Sequence, residues 1–544
     1  MPEKLITHDL TLYRALMKVA TRYPRRPAVT YGDQTLTYKE LSDRVDDLAQ
    51  RLRSLSVGPG DRVALILPNC LEMVYSFFAP SALGAAIVPL NPVYRQREFE
   101  HILRDSEASV IIAEPRHQGN DVQSILRSLR PCLPDLEHVV LRGEAPSGFT
   151  SLDDLPRNGS ALPSESVSPA DLCALVYTSG TTGVPKAVMH SHASMLSAAS
   201  QAEDRINAPI MRKLWGFFNL VLQYDMRYVR YGFKATSYTV PTAMHTLIGY
   251  SGLIYALLLG HRFVIADGFH PAKVLELIER ERITALSLTP TMVSALLNSS
   301  QLEHYDLSSL LYVAMGAAPC PPDLVRRARK AFGCPIMIAF GATELGGVTL
   351  MTDIVADSEQ LQSTTVGRLL SGMEAKVVDD ERREMPPGEV GELVMRVPSA
   401  MMGYYKAPET TAQVLDNDGW YYTGDLATLD ERGYVRIVGR KKNMIIRGGQ
   451  NIYPAEIENH LTSKLEIQNA AVIGVPDELT GERVWAFVLP KDGAVVTPGD
   501  VLQHAREGLA PYKVPDQVRV VYHLPLTAAG KVRKFALLQM IEEG

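Results

Sequence analysis

No surplus of basic residues marks this sequence: 55 lysines and arginines stand against 61 aspartates and glutamates, for a formal net charge of -6. Nucleic-acid binders carry a net or clustered basic excess, so a partner of that kind is not expected. Cysteine is scarce. The five present, Cys70, Cys132, Cys173, Cys320 and Cys334, are scattered, with neither metal-ligand spacing nor a disulfide framework. Their odd number and scatter fit a reducing, cytoplasmic setting. The N-terminal stretch MPEKLITHDLTLYRALMKVATRYP is polar and helical in pattern and lacks the basic and apolar regions of a secretory signal. Long apolar runs are missing as well. The longest, Thr246 to Gly260, falls short of the roughly 20 residues a membrane-spanning helix needs, so a buried helix is expected there.

What is present points to an α/β protein with more than one core. The chain has 544 residues and is 46% hydrophobic, which suits a large compound domain plus a smaller one. DRVALIL and ASVIIA are short runs rich in β-branched residues, whereas KELSDRVDDLAQRLRSL and PAKVLELIERERI carry helical periodicity. Their alternation argues for layered α/β architecture. The composition shifts at the basic RKKNMIIRGGQN (Arg440 to Asn451), beyond which about a hundred residues read as a small α+β unit. Two domains are therefore expected, residues 1–439 and 440–544.

One loop dominates the chemistry. After the apolar run Leu172 to Val176 come Thr178, Ser179, Gly180, Thr181, Thr182, Gly183 and Lys186. Glycines let backbone N–H groups approach an anion, while hydroxyls and a lysine add donors and charge, so a strand followed by this loop predicts a phosphate cradle. It is not a Walker A loop, because Gly180 is followed at the required spacing by Pro185-Lys186.

Five further segments follow this pattern in order: GDRVALILPNCLEMVYSFFAPSALGAAIVPLNP (Gly60 to Pro92), MGAAPCPPDL (Met315 to Leu324), IAFGATELG (Ile338 to Gly346), GWYYTGDLATLDERGYVRIVGRKKNMIIRGGQNIYPAEIE (Gly419 to Glu458) and LPLTAAGKVRK (Leu524 to Lys534). Together with the loop they resemble the adenylate-forming superfamily, which includes acyl-CoA synthetases, peptide-synthetase adenylation domains and beetle luciferases. The resemblance covers nearly the whole chain. It implies a large N-terminal domain of layered sheets and a small, mobile C-terminal domain, using ATP, Mg²⁺ and CoA. A carboxylate attacking the α-phosphate of ATP brings two anions together, so positive charge is needed where charge develops. By resemblance Lys531 supplies it, Glu344 holds Mg²⁺, Thr343 donates to the α-phosphate, and Thr178 to Lys186 hold the departing phosphates. Gly316, Ala317, Ala318 and Pro319, with Phe340, Gly341 and Ala342, would line the adenine; Asp425, Arg440 and Ile437 would serve the ribose. Phe340 replaces the family's usual tyrosine, Ala187 its usual glycine, and Leu526 stands where an arginine or similar residue is usual.

The same resemblance makes Lys442 the hinge and Arg447, Gly448 and Gly449 the face along which a thiol arm passes, where bare backbone leaves room. No carrier-protein domain follows in the sequence, so free CoA is the simpler acceptor and a separate carrier protein the alternative. A second alternative is transfer of the acyl group to another nucleophile, and a third a non-catalytic regulator that binds nucleotide or acyl-AMP. The stretch PTAMHTLIGYSG (Pro241 to Gly252) has no acid to pair an amino group, which disfavours an amino-acid substrate. His245, Gly249, Met315, Gly316 and Gly341 are expected around the acyl group, and small residues there suit a bulky hydrophobic acid, fatty, aryl or polycyclic. Between them and the loop lies MRKLWGFFNLVLQYDMRYVRYGFK (Met211 to Lys234), where Leu214, Phe217, Phe218, Val221 and Leu222 share one helix face. That face would either cover the core or extend the acyl pocket, and Arg227, Arg230 and Lys234 would suit contact with an anionic membrane.

Overall fold

Four sheets organise the chain in a computed structural model that describes residues 4–7, 9–178, 185–207, 218, 221–224, 228, 236–447, 450–464, 466–477, 479–526 and 532–542. Among the described residues one sheet has nine strands, and its middle, Ser237–Thr239, Ala285–Leu288, Tyr312–Gly316 and Ile336–Ala342, is parallel. A second has eight, with Ala86–Pro89, Arg62–Ile66 and Val110–Ala113 parallel at its centre. Lys186–Ser191 and Leu172–Thr178 run antiparallel toward its edge. The expected strands DRVALIL and ASVIIA are thus central ones.

Alternation along those strands builds the layers. Val63 and Leu65 point into one core cluster and Ala64 and Ile66 into another, as the two-residue repeat of a strand requires. The first cluster is shared by both large sheets and by the helices Leu12–Arg22, Tyr38–Ser54 and Leu247–Leu258 between them. Tyr38–Ser54 starts at a capping box in which Thr37 and Glu40 satisfy each other's backbone N–H groups. Leu247–Leu258 is the buried helix expected from the apolar run, capped by the Thr246 hydroxyl, and no described helix is long and apolar enough to cross a membrane.

A four-stranded antiparallel sheet, Glu374–Val378, Gly391–Arg396, Tyr421–Leu429 and Val435–Arg440, completes the body. The smaller C-terminal domain has its own sheet, centred on Ile467–Asp477 and Gly481–Pro490, and its own core around Ile457, Val472 and Val488. Arg440 closes the last strand of the body by pairing with Asp425, and Ile445 already lies in the C-terminal core. The 3-10 turn Lys441–Asn443 lies between Arg440 and Ile445.

Candidate active site

The two strands that flank the loop expected to hold phosphate form a hairpin. Leu172–Thr178 and Lys186–Ser191 pair in register, with Thr178 directly opposite Lys186. Ser179, Gly180, Thr181, Thr182 and Gly183 lie outside the described residues. The hairpin's two flanks rest on one helix, Gln96–Ser106. The Tyr177 hydroxyl donates to Asp105 Oδ2 at 2.5 Å, and His101 Nε2 lies 3.1 Å from the carbonyl of Pro185, one turn away along that helix.

The strand Ile336–Ala342 delivers Thr343 and Glu344. A Cβ on Gly341 would lie 2.0 Å from the carbonyl oxygen of Gly347, so only glycine permits the close pairing at this bulge. The 3-10 turn Thr343–Leu345 is then held at every carbonyl: His190 Nε2 donates to Thr343 at 2.8 Å, the Met401 N–H to Glu344 at 2.8 Å, and the Ser399 hydroxyl to Leu345 at 2.6 Å. The Tyr404 hydroxyl donates to Glu344 Oε1 at 3.0 Å, and Lys186 Nζ sits 5.8 Å from the centre of the same ring. Burial and the Glu344 charge push the Tyr404 phenol well above its usual range, so it stays a donor. Sequence reasoning missed His190, Ser399, Met401 and Tyr404. They act across long sequence separations, and only the Gly-Tyr of Gly403-Tyr404 offered a local signal.

Gly316 ends the neighbouring strand and Ala317 follows it. A Cβ on Gly316 would meet the Ala339 carbonyl oxygen at 2.4 Å, and Ala317 adopts a left-handed φ of 66° before Ala318 and Pro319. Phe340 and Ala342 are partly buried against the core of the four-stranded sheet. In that sheet Asp425, 5% exposed, lies opposite Arg440, whose Nε is 2.8 Å from Asp425 Oδ1, and Ile437 lies three residues before Arg440 on the same strand. Lys441 Nζ is held by Asp380 at 2.8 Å and Glu392 at 3.1 Å, and Lys442 comes next. Arg447 is committed within the C-terminal domain, at 2.5 Å from Asp516 and donating to the carbonyls of Tyr512 and Val514. Gly448, Gly449 and Lys531 lie outside the described residues.

The expected acyl side is altered in detail. Asn69 pins the approach to His245: its Oδ1 accepts from Met244 N–H and its amide donates to the carbonyls of Thr242 and Ala266. Desolvation pushes His245 down to about 4, so the imidazole is neutral. Gly249 is glycine for packing, because a Cβ there would lie 2.2 Å from the Ala243 carbonyl oxygen; Gly252 likewise meets Val240. Met315 stands one residue before Gly316 on its strand. It is fully buried and points with Val313 into the core beneath helix Pro322–Phe332, since strand alternation turns it away from Gly316. The shared face expected in 211–234 also differs: Phe218 and Leu222 are 54% and 70% exposed, and Tyr228 packs with Val221 and Tyr224 instead. The Tyr228 hydroxyl donates to the Leu311 carbonyl, at the end of Tyr312–Gly316 that lies about 13 Å from Gly316. Val221, Tyr224 and Tyr228 therefore pack beside Leu311, and Leu222, Gln223 and Tyr224 line a cleft with Pro335 and Gln362; Leu214, Phe217, Arg227, Arg230 and Lys234 lie outside the described residues.

Residues 16–405 match the family described as AMP-binding enzyme, and residues 456–531 match its C-terminal domain. A feruloyl-CoA synthase of Amycolatopsis sp is 36% identical over 94% of this chain and 95% of its own. A (methyl-dioxo-octahydroindenyl)propanoyl:CoA ligase of Rhodococcus jostii (strain RHA1) is 35% identical over 96% and 97%. Among solved structures, an anthranilate CoA ligase in complex with anthranoyl-AMP superposes with a TM-score of 0.85 at 27% identity, covering 98% of each chain.

Proposed function

Because the chain belongs to the family of AMP-binding enzymes, we propose that it is an AMP-forming acid–CoA ligase that activates a hydrophobic, ring-bearing carboxylic acid. The observation that carries this reading is the convergence on Tyr404, which receives Lys186 from the phosphate hairpin over its ring and holds Glu344 through its hydroxyl. Around that point Thr343 donates to the α-phosphate, Lys186 and Thr178 hold the departing phosphates, Asp425 with Arg440 takes the ribose, and the Gly316 to Pro319 strip with Phe340 takes the adenine. Glu344 fits Mg²⁺ as a hard carboxylate oxygen. Among the described residues no three acids, histidines or cysteines gather around one point, so the ion would be held chiefly by phosphate oxygens and water. When bound it neutralises the phosphates that leave. Lys531 brings its ammonium to the reacting carboxylate, and the C-terminal domain then turns at Lys442 to offer the Arg447 to Gly449 face to CoA. Arg447 serves there as a strut, since Asp516 already holds it.

The ring-bearing class is supported by the relatives named above, whose acids are feruloyl, bicyclic propanoyl and anthraniloyl, and by a neutral His245 that suits an apolar acyl group. Free cysteines at all five positions support a cytoplasmic location. The test is pyrophosphate and AMP release with Mg-ATP across short, fatty, aryl and polycyclic acids, with and without CoA, the thioester being detected by mass. Thioester formed with CoA and an aryl or fused-ring acid is expected. Acyl-AMP that accumulates regardless of CoA would point to a carrier protein or another nucleophile as acceptor.

A further inference from the structure

The strand that leaves the phosphate hairpin presents one face to the Thr343–Leu345 turn. Lys186, Val188 and His190 share that face by the two-residue repeat. Lys186 reaches the Tyr404 ring, Val188 packs in the cluster that holds Leu345, and His190 meets the carbonyl of Thr343 at 2.8 Å. We propose that His190 is a positioning residue for adenylation, one that keeps Thr343 and Glu344 in register with the phosphate hairpin. This inference rests on the ligase reading above.

His190 is fully buried, in a place where an apolar side chain would avoid the cost of burying a polar ring. Both ring nitrogens are nevertheless used. A carbonyl only accepts, so Nε2 carries the proton and donates to Thr343; Nδ1 lies 3.1 Å from Ser194 Oγ, whose single proton is shared between that nitrogen and the Ser191 carbonyl at 2.9 Å. Burial keeps the ring neutral, pushing its pKa down to about 4. The other two carbonyls of the turn are held from Ser399 and Met401, on a segment that goes on to pair with the hairpin through Met402 to Tyr405, with Gly403 opposite Met189 and Tyr404 opposite Val188. His190 ties the turn from the strand that carries Lys186, beside the Tyr404 hydroxyl that reaches Glu344 from the adjacent strand. It joins the eight-stranded sheet, which carries the phosphate loop, to the nine-stranded sheet, which carries the Thr343 hydroxyl and the Glu344 carboxylate. Reacting groups supplied by separate sheets must agree to about 0.5 Å for catalysis, and the buried His190 bond, alongside that of Tyr404, enforces that.

Three variants separate positioning from folding. In His190→Gln the amide nitrogen reaches where Nε2 stood, in His190→Asn only where Nδ1 stood, and His190→Leu has no donor. Acid-dependent pyrophosphate release without thiol, its Mg²⁺ dependence, thioester formation from supplied acyl-adenylate, and the melting temperature are measured for each. Adenylation kcat is expected to fall about 10- to 100-fold in the Leu and Asn variants, with half-saturating Mg²⁺ raised about threefold or more and thioester formation nearly unchanged. The Gln variant should stay within about fivefold of the unmodified protein. Full adenylation by His190→Leu overturns the proposal, as do equal losses in all three variants that follow the melting temperature. If the unmodified protein releases no pyrophosphate with any acid, the ligase reading has failed. The Mg²⁺ dependence of ATP binding by calorimetry then decides on His190 alone: a weakened dependence in Leu but not in Gln supports it, and equal dependence overturns it.

Discussion

Ala317 occupies the left-handed region, with a φ of 66°, at the strip assigned to adenine. For a residue with a Cβ that conformation costs about 1 kcal/mol, so Ala317→Gly should raise stability by about 0.5–1 kcal/mol in urea titration, and an unchanged or lower midpoint would contradict strain at this position. Tyr404 acts through a single hydroxyl. Tyr404→Phe removes a hydrogen bond to a carboxylate, worth about 1.5–3 kcal/mol, and is expected to lower adenylation kcat about tenfold or more while the melting temperature moves little. A pyrophosphate-release assay that finds full activity would remove Tyr404 from the site. Replacing Asp425 with Asn keeps the shape but loses the charge opposite Arg440; KM for ATP should rise about tenfold while KM for the acid stays level, and equal rises would argue for general damage instead.

At the scale of elements, periodicity predicted much and distance limited the rest. Tyr38–Ser54 and Pro271–Glu281 form where 3.6-residue spacing and capping residues place them, and Arg62–Ile66 and Val110–Ala113 where β-branched runs do. Motif residues were legible because Gly316, Gly341 and Asp425 each sit in a short run with its own backbone demand. Alternation within Tyr312–Gly316 turns Met315 into the core with Val313, a facing that a motif string does not show. His190 and Ser399 were invisible because their partners lie 153 and 54 residues away. The segment around Tyr228 illustrates a third cause: a helical pattern does not reveal the partner it packs on, and Tyr228 packs with Leu311, Val221 and Tyr224. Tyr228→Phe should accordingly cost about 1 kcal/mol in a denaturant titration, from the lost bond to the Leu311 carbonyl. Leu222→Ser, on the exposed side, should cost nearly nothing; the reverse order of costs would overturn the packing described.

Across the whole molecule, acid should act through buried imidazoles. His192, His245 and His261 are each pushed from the usual 6.5 to about 4 by desolvation. Their folded values lie below their unfolded ones, so the unfolded chain takes up protons first as pH falls. Stability is thus kept above about 6.5 and lost between about 6.5 and 4, at roughly 1.4 kcal/mol per pH unit for each ring. Urea midpoints measured from pH 7.5 to 4.5 should fall steeply below 6.5, and a flat profile would mean that these rings are hydrated. The pairing of Asp425 with Arg440, two residues before Lys442, has a further consequence. A ribose bonded to Asp425, as proposed, would draw on the same carboxylate that holds Arg440 beside the proposed pivot, which would link sugar occupancy to interdomain rotation, each altering the other by an equal factor.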